Sequence, residues 1–364
     1  MTFDPHSFTF RFEDEGCSDA RFVGGKGRSL GEMTAAGYPV PPGFAVSASA
    51  YRRFLDQDNL RRDIAAQLER LNPRDYTAIE GASERIGILV AASQLPRDVA
   101  DKIREGYAEL CELTGTDDVS VAVRSSGTAE DSSADSFAGE FETWVDIRGI
   151  DDVLTHVHRC YTSVYAPRVL RYALERGIDL SVIEMAVVIQ KTVRARTAGV
   201  MFTLDPISGD RSRVVLEANW GLGLSVVGGE VTPDRFTVNK VGLGVQARVL
   251  GDKRVEYRRG DSSVEVPEER RDQLSLSDDE VVALAELGKR LEKRNGGPQD
   301  IEFAVDEELP AGANLLLLQC RPETVWSGVE RAPAFDPKEK MMSWITSSIT
   351  VPTKVKNGNG HRHG

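Results

Sequence analysis

VAVRSSGTAEDSSADSFAGEF, residues 121–141, decides the reading of this chain. Val121, Ala122 and Val123 form a short apolar run that predicts a buried strand. Arg124 stands at the end of that run, and small polar residues follow with hardly an apolar side chain among them. Small residues let backbone N–H groups approach an anion, and Ser and Thr hydroxyls add donors. An arginine at the mouth of such a loop offers phosphate oxygens a planar charged fork. A polar surface loop whose arginine sits in an ion pair fits the same residues, so composition leaves both readings open.

Upstream, Phe8 to Phe12 alternates as a strand, and Gly24-Gly25-Lys26-Gly27 leads into a helix carrying Leu30, Met33 and Ala36, stopped by Gly37. Lys26 thus falls in a glycine turn at a helix N-terminus, where backbone donors and the helix dipole favour an anion. The spacing is not that of the G-x-x-x-x-G-K-[ST] loop, and a merely solvated lysine fits as well. The rigid PVPPG, residues 39–43, turns the chain into a strand at Phe44 to Val46. Residues 48–115 read as mostly helical, with Ser47 placed to cap and Arg52 and Arg53 solvated.

Downstream, strands are expected at 144–147, 185–193, 199–203 and 214–218, with a helical stretch over 151–177 split at Pro167. His156 and His158 read as helix-surface residues, since no metal spacing accompanies them. Gly221-x-Gly223 lacks the third glycine and the downstream acid of a dinucleotide fingerprint. Residues 240–275 read as a polar hairpin region. Ser277 and Glu280 form a capping box at the head of a helix ending at Gly296 and Gly297. Two strands close the ordered part, 301–305 and 315–319. Alternation sets Glu302 opposite in face to Ile301, Phe303 and Val305, and gives Gln319 and Arg321 one face. If the strands pair, one acid, one amide oxygen and one guanidinium converge. That set suits a magnesium-bound polyphosphate, and it equally suits a cross-strand surface pair.

The chain has 364 residues, 40% hydrophobic and 28% charged, enough for two or three domains and a sizeable core. A net charge of −12 argues against nucleic acid or an anionic membrane as the main partner. The four cysteines are widely spaced, as expected of reduced core thiols in a cytoplasmic protein. The opening MTFDPHSFTF has neither the basic flank nor the apolar core of a signal peptide, and no apolar run is long enough to span a bilayer.

Taken together, these stretches resemble the N-terminal nucleotide-binding domain of phosphoenolpyruvate synthase and pyruvate phosphate dikinase. The matching text is GGKGRSLGEM (24–33), GYPVPPGFAV (37–46), VAVRSSGTAEDSSADSFAGEFET (121–143), AVVIQKTV (186–193), AGVMFTLDP (198–206), ANWGLG (218–223), TPDRF (232–236), PQDIEFAVD (298–306) and LLLLQCRPET (315–324). The resemblance implies an α/β ATP-grasp fold, with mixed sheets in subdomains and the nucleotide between them. It divides the chain into N-terminal subdomains over 1–200 and a C-terminal subdomain over 201–326; the mixture of Pro, Lys, Gly and Asn after Trp326 reads as a linker and disordered tail over 327–364. It implies ATP and Mg²⁺ as ligands. Lys26 and Arg124 match the polyphosphate-binding lysine and arginine. The segment from Thr128 to Gly139, with Ala129, Glu130 and Ser136, matches the loop over the phosphates. Gln190 falls in the segment beside the adenine, Glu302 and Gln319 match the metal ligands, and Arg321 matches the arginine at the transferred phosphate.

The sequence departs from the family at Leu224, where glutamate often follows G-L-G, and in a long link between Glu302 and Gln319. None of His6, His156, His158, His361 or His363 resembles the family's phosphorylated histidine. The expectation is therefore a split enzyme, similar to phenylphosphate synthase. This subunit would use Mg-ATP to phosphorylate a histidine on a partner subunit, giving AMP and phosphate. The partner would pass the phosphoryl group to a phenol-type or other hydroxyl compound, or to pyruvate. The alternative is a nucleotide-sensing regulatory subunit without catalysis.

Overall fold

The computed structural model describes residues 4–69, 71–128, 142–180, 183–260 and 263–326. Residues 1–323 make one compact unit, and the described part of a second unit is confined to residues 324–326. The loop residues Ala129, Glu130, Ser136 and Gly139, and the 327–364 tail with His361 and His363, lie outside the described residues.

The N-terminal half runs β1 (Thr9–Arg11), α1 (Ala20–Ala35), β2 (Gly43–Val46), α2 (Ala48–Leu55), α3 (Leu60–Leu68), α4 (Tyr76–Ala92) and α5 (Arg97–Thr114). It continues through β3 (Val121–Gly127), β4 (Thr143–Ile147), α6 (Ile150–Ser163), α7 (Pro167–Arg176) and β5 (Met185–Lys191). Its strands form a five-stranded sheet in the order β1-β2-β5-β3-β4. Alternation explains how this sheet serves two cores. Phe44, Val46, Val187 and Ile189 pack into the cluster under the helices, while Ala45 and Val188 face the cluster shared with the second sheet.

The C-terminal half runs β6 (Ala195–Phe202), β7 (Arg213–Trp220), α8 (Leu224–Val227), β8 (Asp234–Asn239), β9 (Val245–Val249), β10 (Val255–Tyr257) and β11 (Ser263–Glu265). It ends in α9 (Glu268–Arg271), α10 (Asp278–Asn295), β12 (Gln299–Asp306) and β13 (Leu315–Pro322). Six strands form the second sheet in the order β13-β12-β6-β7-β8-β9, and β10 and β11 pair separately. The chain crosses between sheets at residues 192–194, so the expected division at 200 falls inside β6. The capping box of Ser277 and Glu280 starts α10, and Gly296 ends it with φ 77°.

The structure corrects several local expectations. Every ladder between named strands runs antiparallel, so the sheets are not mixed. The short connection joining β8 to β9 suits antiparallel neighbours. The Ser47 hydroxyl donates to the Ser7 carbonyl and does not cap α2. Arg52 pairs with Glu184, and Arg53 with Asp98, so neither is simply solvated. His158 is half-buried rather than simply on the helix surface: its Nε2 lies 2.9 Å from the carbonyls of both Val90 and Ser93. Its ring packs edge-on against Phe54. All four cysteines are free and buried, as the sequence suggests.

A buried ion pair anchors the segment before β10. Lys253 and Asp234 are both fully buried, with Nζ 2.6 Å from Oδ1. Asp234 also accepts from the N–H groups of Gly251 and Ser275, which spreads its charge over three donors.

Candidate functional site

Arg124 lies in mid-strand, not at the mouth of a loop. β3 runs on through Ser125, Ser126 and Gly127, all paired with β5 and all buried. The serines tolerate burial because their hydroxyls are satisfied: Ser125 donates to the Glu142 carbonyl and Ser126 to the Val23 carbonyl. This continuation of the strand fixes Arg124 with its side chain only 10% exposed.

From there the guanidinium reaches the second sheet. Its Nη2 lies 2.7 Å from Glu302 Oε2 and 2.8 Å from Gln319 Oε1, and its Nη1 donates to the Leu318 carbonyl at 2.9 Å. Its Nε is buried and has no hydrogen-bond partner among the described residues. Glu302 and Gln319 face each other across β12 and β13, as the alternation predicts. The register shifts between Glu302 and Phe303, leaving Leu318 outside the pairing. The long link does not separate Glu302 from Gln319.

The acid and the amide therefore converge, but the guanidinium meeting them is that of Arg124. Arg321 shares their face and pairs with Asp300, its Nε 2.8 Å from Oδ2. Burial pushes the Asp300 carboxyl above its ordinary range; Arg321 opposes this, and Glu302 and Glu323 add to it. Asp300 did not stand out in the sequence, although its place two residues before Glu302 puts it on the same strand face.

Gly24 breaks α1 with φ 68°, and the helix resumes with Lys26 in its first turn. A Cβ on Gly24 would meet the Ser126 carbonyl oxygen at 2.3 Å, so this close approach to β3 requires glycine. Lys26 Nζ donates to the Ser125 carbonyl at 2.9 Å, placing it beside Arg124 on the same strand. The Gly27 N–H donates to the Ser126 hydroxyl, so one donor of this helix start is occupied internally. Further round, the Ser29 hydroxyl donates to the carbonyl of Cys320, the residue between Gln319 and Arg321. Thr128 is tied to the Glu184 carbonyl through both its N–H and its hydroxyl.

A cavity of about 180 Å³ opens between the sheets, with Arg124, Gln190, Glu302 and Leu318 in its wall. Gln190 is buried and donates to the Pro41 carbonyl. Thr192, also in the wall, has a buried hydroxyl without a partner. Leu224 and Val227 of α8 add an apolar side. Nothing in the sequence around Thr192 marks it, and its orphaned hydroxyl appears only in the folded chain.

The chemistry on offer is that of an anion site with a cation-binding rim. A carboxylate and a carboxamide oxygen are hard donors of the kind Mg²⁺ takes, usually with phosphate and water completing the shell. Among the described residues no group of three His, Cys, Asp or Glu side chains forms a closed cage. The donor set thus fits a metal brought in with a polyphosphate rather than one held by protein alone.

Two antiparallel sheets with a cavity between them, its wall including Arg124, Gln190 and Glu302, define an α/β protein. Residues 20–341 match the family described as pyruvate phosphate dikinase, AMP/ATP-binding domain, and the chain belongs to that family. It is 41% identical over 316 residues to a probable phosphoenolpyruvate synthase of Methanothermobacter thermautotrophicus, covering 86% of this chain and 45% of that protein. It is 42% identical over 310 residues to one of Methanocaldococcus jannaschii, covering 84% and 26%. It is 35% identical over 370 residues to the phosphoenolpyruvate synthase of Pyrococcus furiosus, covering 90% and 45%. The chain spans less than half the length of these relatives. Among the described residues no helix is long and apolar enough to cross a membrane.

Proposed function

We propose that this chain is the ATP-using part of a dikinase-type phosphotransferase of ATP-grasp architecture. The two subdomains are read as the portions carrying the two sheets, with Mg-ATP bound in the cavity between them. Lys26, Arg124 and Arg321 neutralise phosphate charge, with the loop from Thr128 through Ala129, Glu130, Ser136 and Gly139 over the phosphates. Gln190 lies beside the base. Glu302 and Gln319 hold Mg²⁺, which when bound would neutralise charge on the phosphate oxygens. Fixed guanidinium and ammonium groups suit a loose phosphoryl transition state, because they need no reorganisation as charge moves.

The phosphoryl group passes to a histidine on a partner subunit in the cytoplasm, giving AMP and phosphate. The final acceptor is a phenol-type or other hydroxyl compound, or pyruvate. The convergence of Arg124, Glu302 and Gln319 from three strands carries this reading. A sensor without catalysis has no need for such an oxygen pair.

The test is to purify the chain with whatever binds it and supply ATP labelled separately at the β and γ phosphates. Label from the β position on a partner histidine supports the proposal. Label from the γ position alone contradicts it, and tight ADP binding with no phosphohistidine favours the sensor.

A further inference from the structure

We infer that Arg124 is the resident cation of the Glu302–Gln319 oxygens, exchanged for a divalent metal only when a polyphosphate takes over its guanidinium. This rests on the reading of the cavity as a metal–nucleotide site. One nitrogen, Nη2, bridges Glu302 Oε2 and Gln319 Oε1 at 2.7 and 2.8 Å. A metal seeking both oxygens therefore meets a positive charge already seated there. Lys26 is anchored on the Ser125 carbonyl and Arg321 on Asp300.

Ejecting Arg124 with nothing to receive it strands a buried guanidinium, which is strongly disfavoured. A polyphosphate changes this balance. Its oxygens accept the released Nη2 and supply the buried Nε with the acceptor it lacks. Metal and polyphosphate thus bind with positive coupling, each relieving the cost of the other. The bridge also gives the half-buried Glu302 carboxylate a counter-charge before the ligands arrive.

The test is Mn²⁺ binding to the full chain without nucleotide, read from the electron paramagnetic resonance of free Mn²⁺. Arg124→Gln should bind Mn²⁺ on the order of tenfold more tightly than the unaltered chain. Adding Glu302→Gln to that variant should remove the gain. Lys26→Gln, which removes a nearby charge of the same sign, should gain far less. Equal affinity of Arg124→Gln and the unaltered chain, or an equal gain from Lys26→Gln, overturns the exchange. A second variant keeps the test sharp if Arg124→Gln fails to fold. Glu302→Gln alone loosens the bridge and should bind metal-free ATP, in EDTA, more tightly than the unaltered chain; unchanged or weaker binding overturns the exchange. Failure of the unaltered chain to bind Mg-ATP at all would remove the nucleotide reading instead, and the Mn²⁺ comparison would still decide the exchange.

Discussion

Asp300 and Arg321 stand opposite each other in the β12–β13 ladder, with Nε and Nη2 of Arg321 2.8 and 2.7 Å from one oxygen of Asp300. Arg321 is 45% exposed, so the pair adds only about 0–1 kcal/mol to stability. On the proposed reading of the site, the pair orients Arg321 toward the phosphates. Asp300→Asn should weaken ATP affinity roughly tenfold through lost orientation. Because burial raises the Asp300 pKa, its favourable contribution is present below the ordinary aspartate range and is lost as pH rises through the raised value. The variant should therefore be no less stable than the parent at pH 7. Calorimetric titration with ATP and thermal melts at pH 4 and 7 check both parts.

Gly24 tests the approach of α1 to β3. Gly24→Ala puts a Cβ 2.3 Å from the Ser126 carbonyl oxygen at a positive φ. It should destabilise the chain by about 1–3 kcal/mol in urea unfolding. It should also weaken ATP binding by displacing Lys26, and normal affinity would mean that Lys26 does not meet the phosphates.

Lys253→Met should cost about 3–5 kcal/mol, because Asp234 would remain buried without its counter-ion. The double variant Asp234→Asn with Lys253→Met should recover part of the loss. Denaturant midpoints for the single and double changes decide this.

Ser277→Ala should remove about 1 kcal/mol from α10 by loss of its cap. For Glu280, burial acts to raise the pKa, but hydrogen bonds from Ser277 and the pairing with Arg196 outweigh it, and the net shift is downward. Its stabilising contribution is thus present above the ordinary glutamate range and is lost as pH falls through the lowered value. Glu280→Gln should flatten that acid limb in melts taken between pH 2 and 5.

Local signals were legible where one period governed a segment. Alternation in 301–305 and 315–319 anticipated the facing of Glu302 and Gln319, and the capping box anticipated the start of α10. Arg124 was harder. Ser125, Ser126 and Gly127 read as loop residues, and only the carbonyls of Glu142 and Val23 make them tolerable in a buried strand. The meeting of Arg124 with Glu302 joins segments far apart in the chain, which no local pattern reports. His158 reads as a surface residue until Val90 and Ser93 are seen to supply carbonyls. Thr192 gains interest only once its hydroxyl is seen to be orphaned.

The register slip beside Glu302 also has a practical use. The Glu302–Gln319 pairing is fixed by the ladder around it, so the link over 307–314 need not have one particular length. An affinity epitope spliced between Gly312 and Ala313 should leave Mn²⁺ titrations of the chain unchanged. It would offer a handle for recovering whatever docks on this protein.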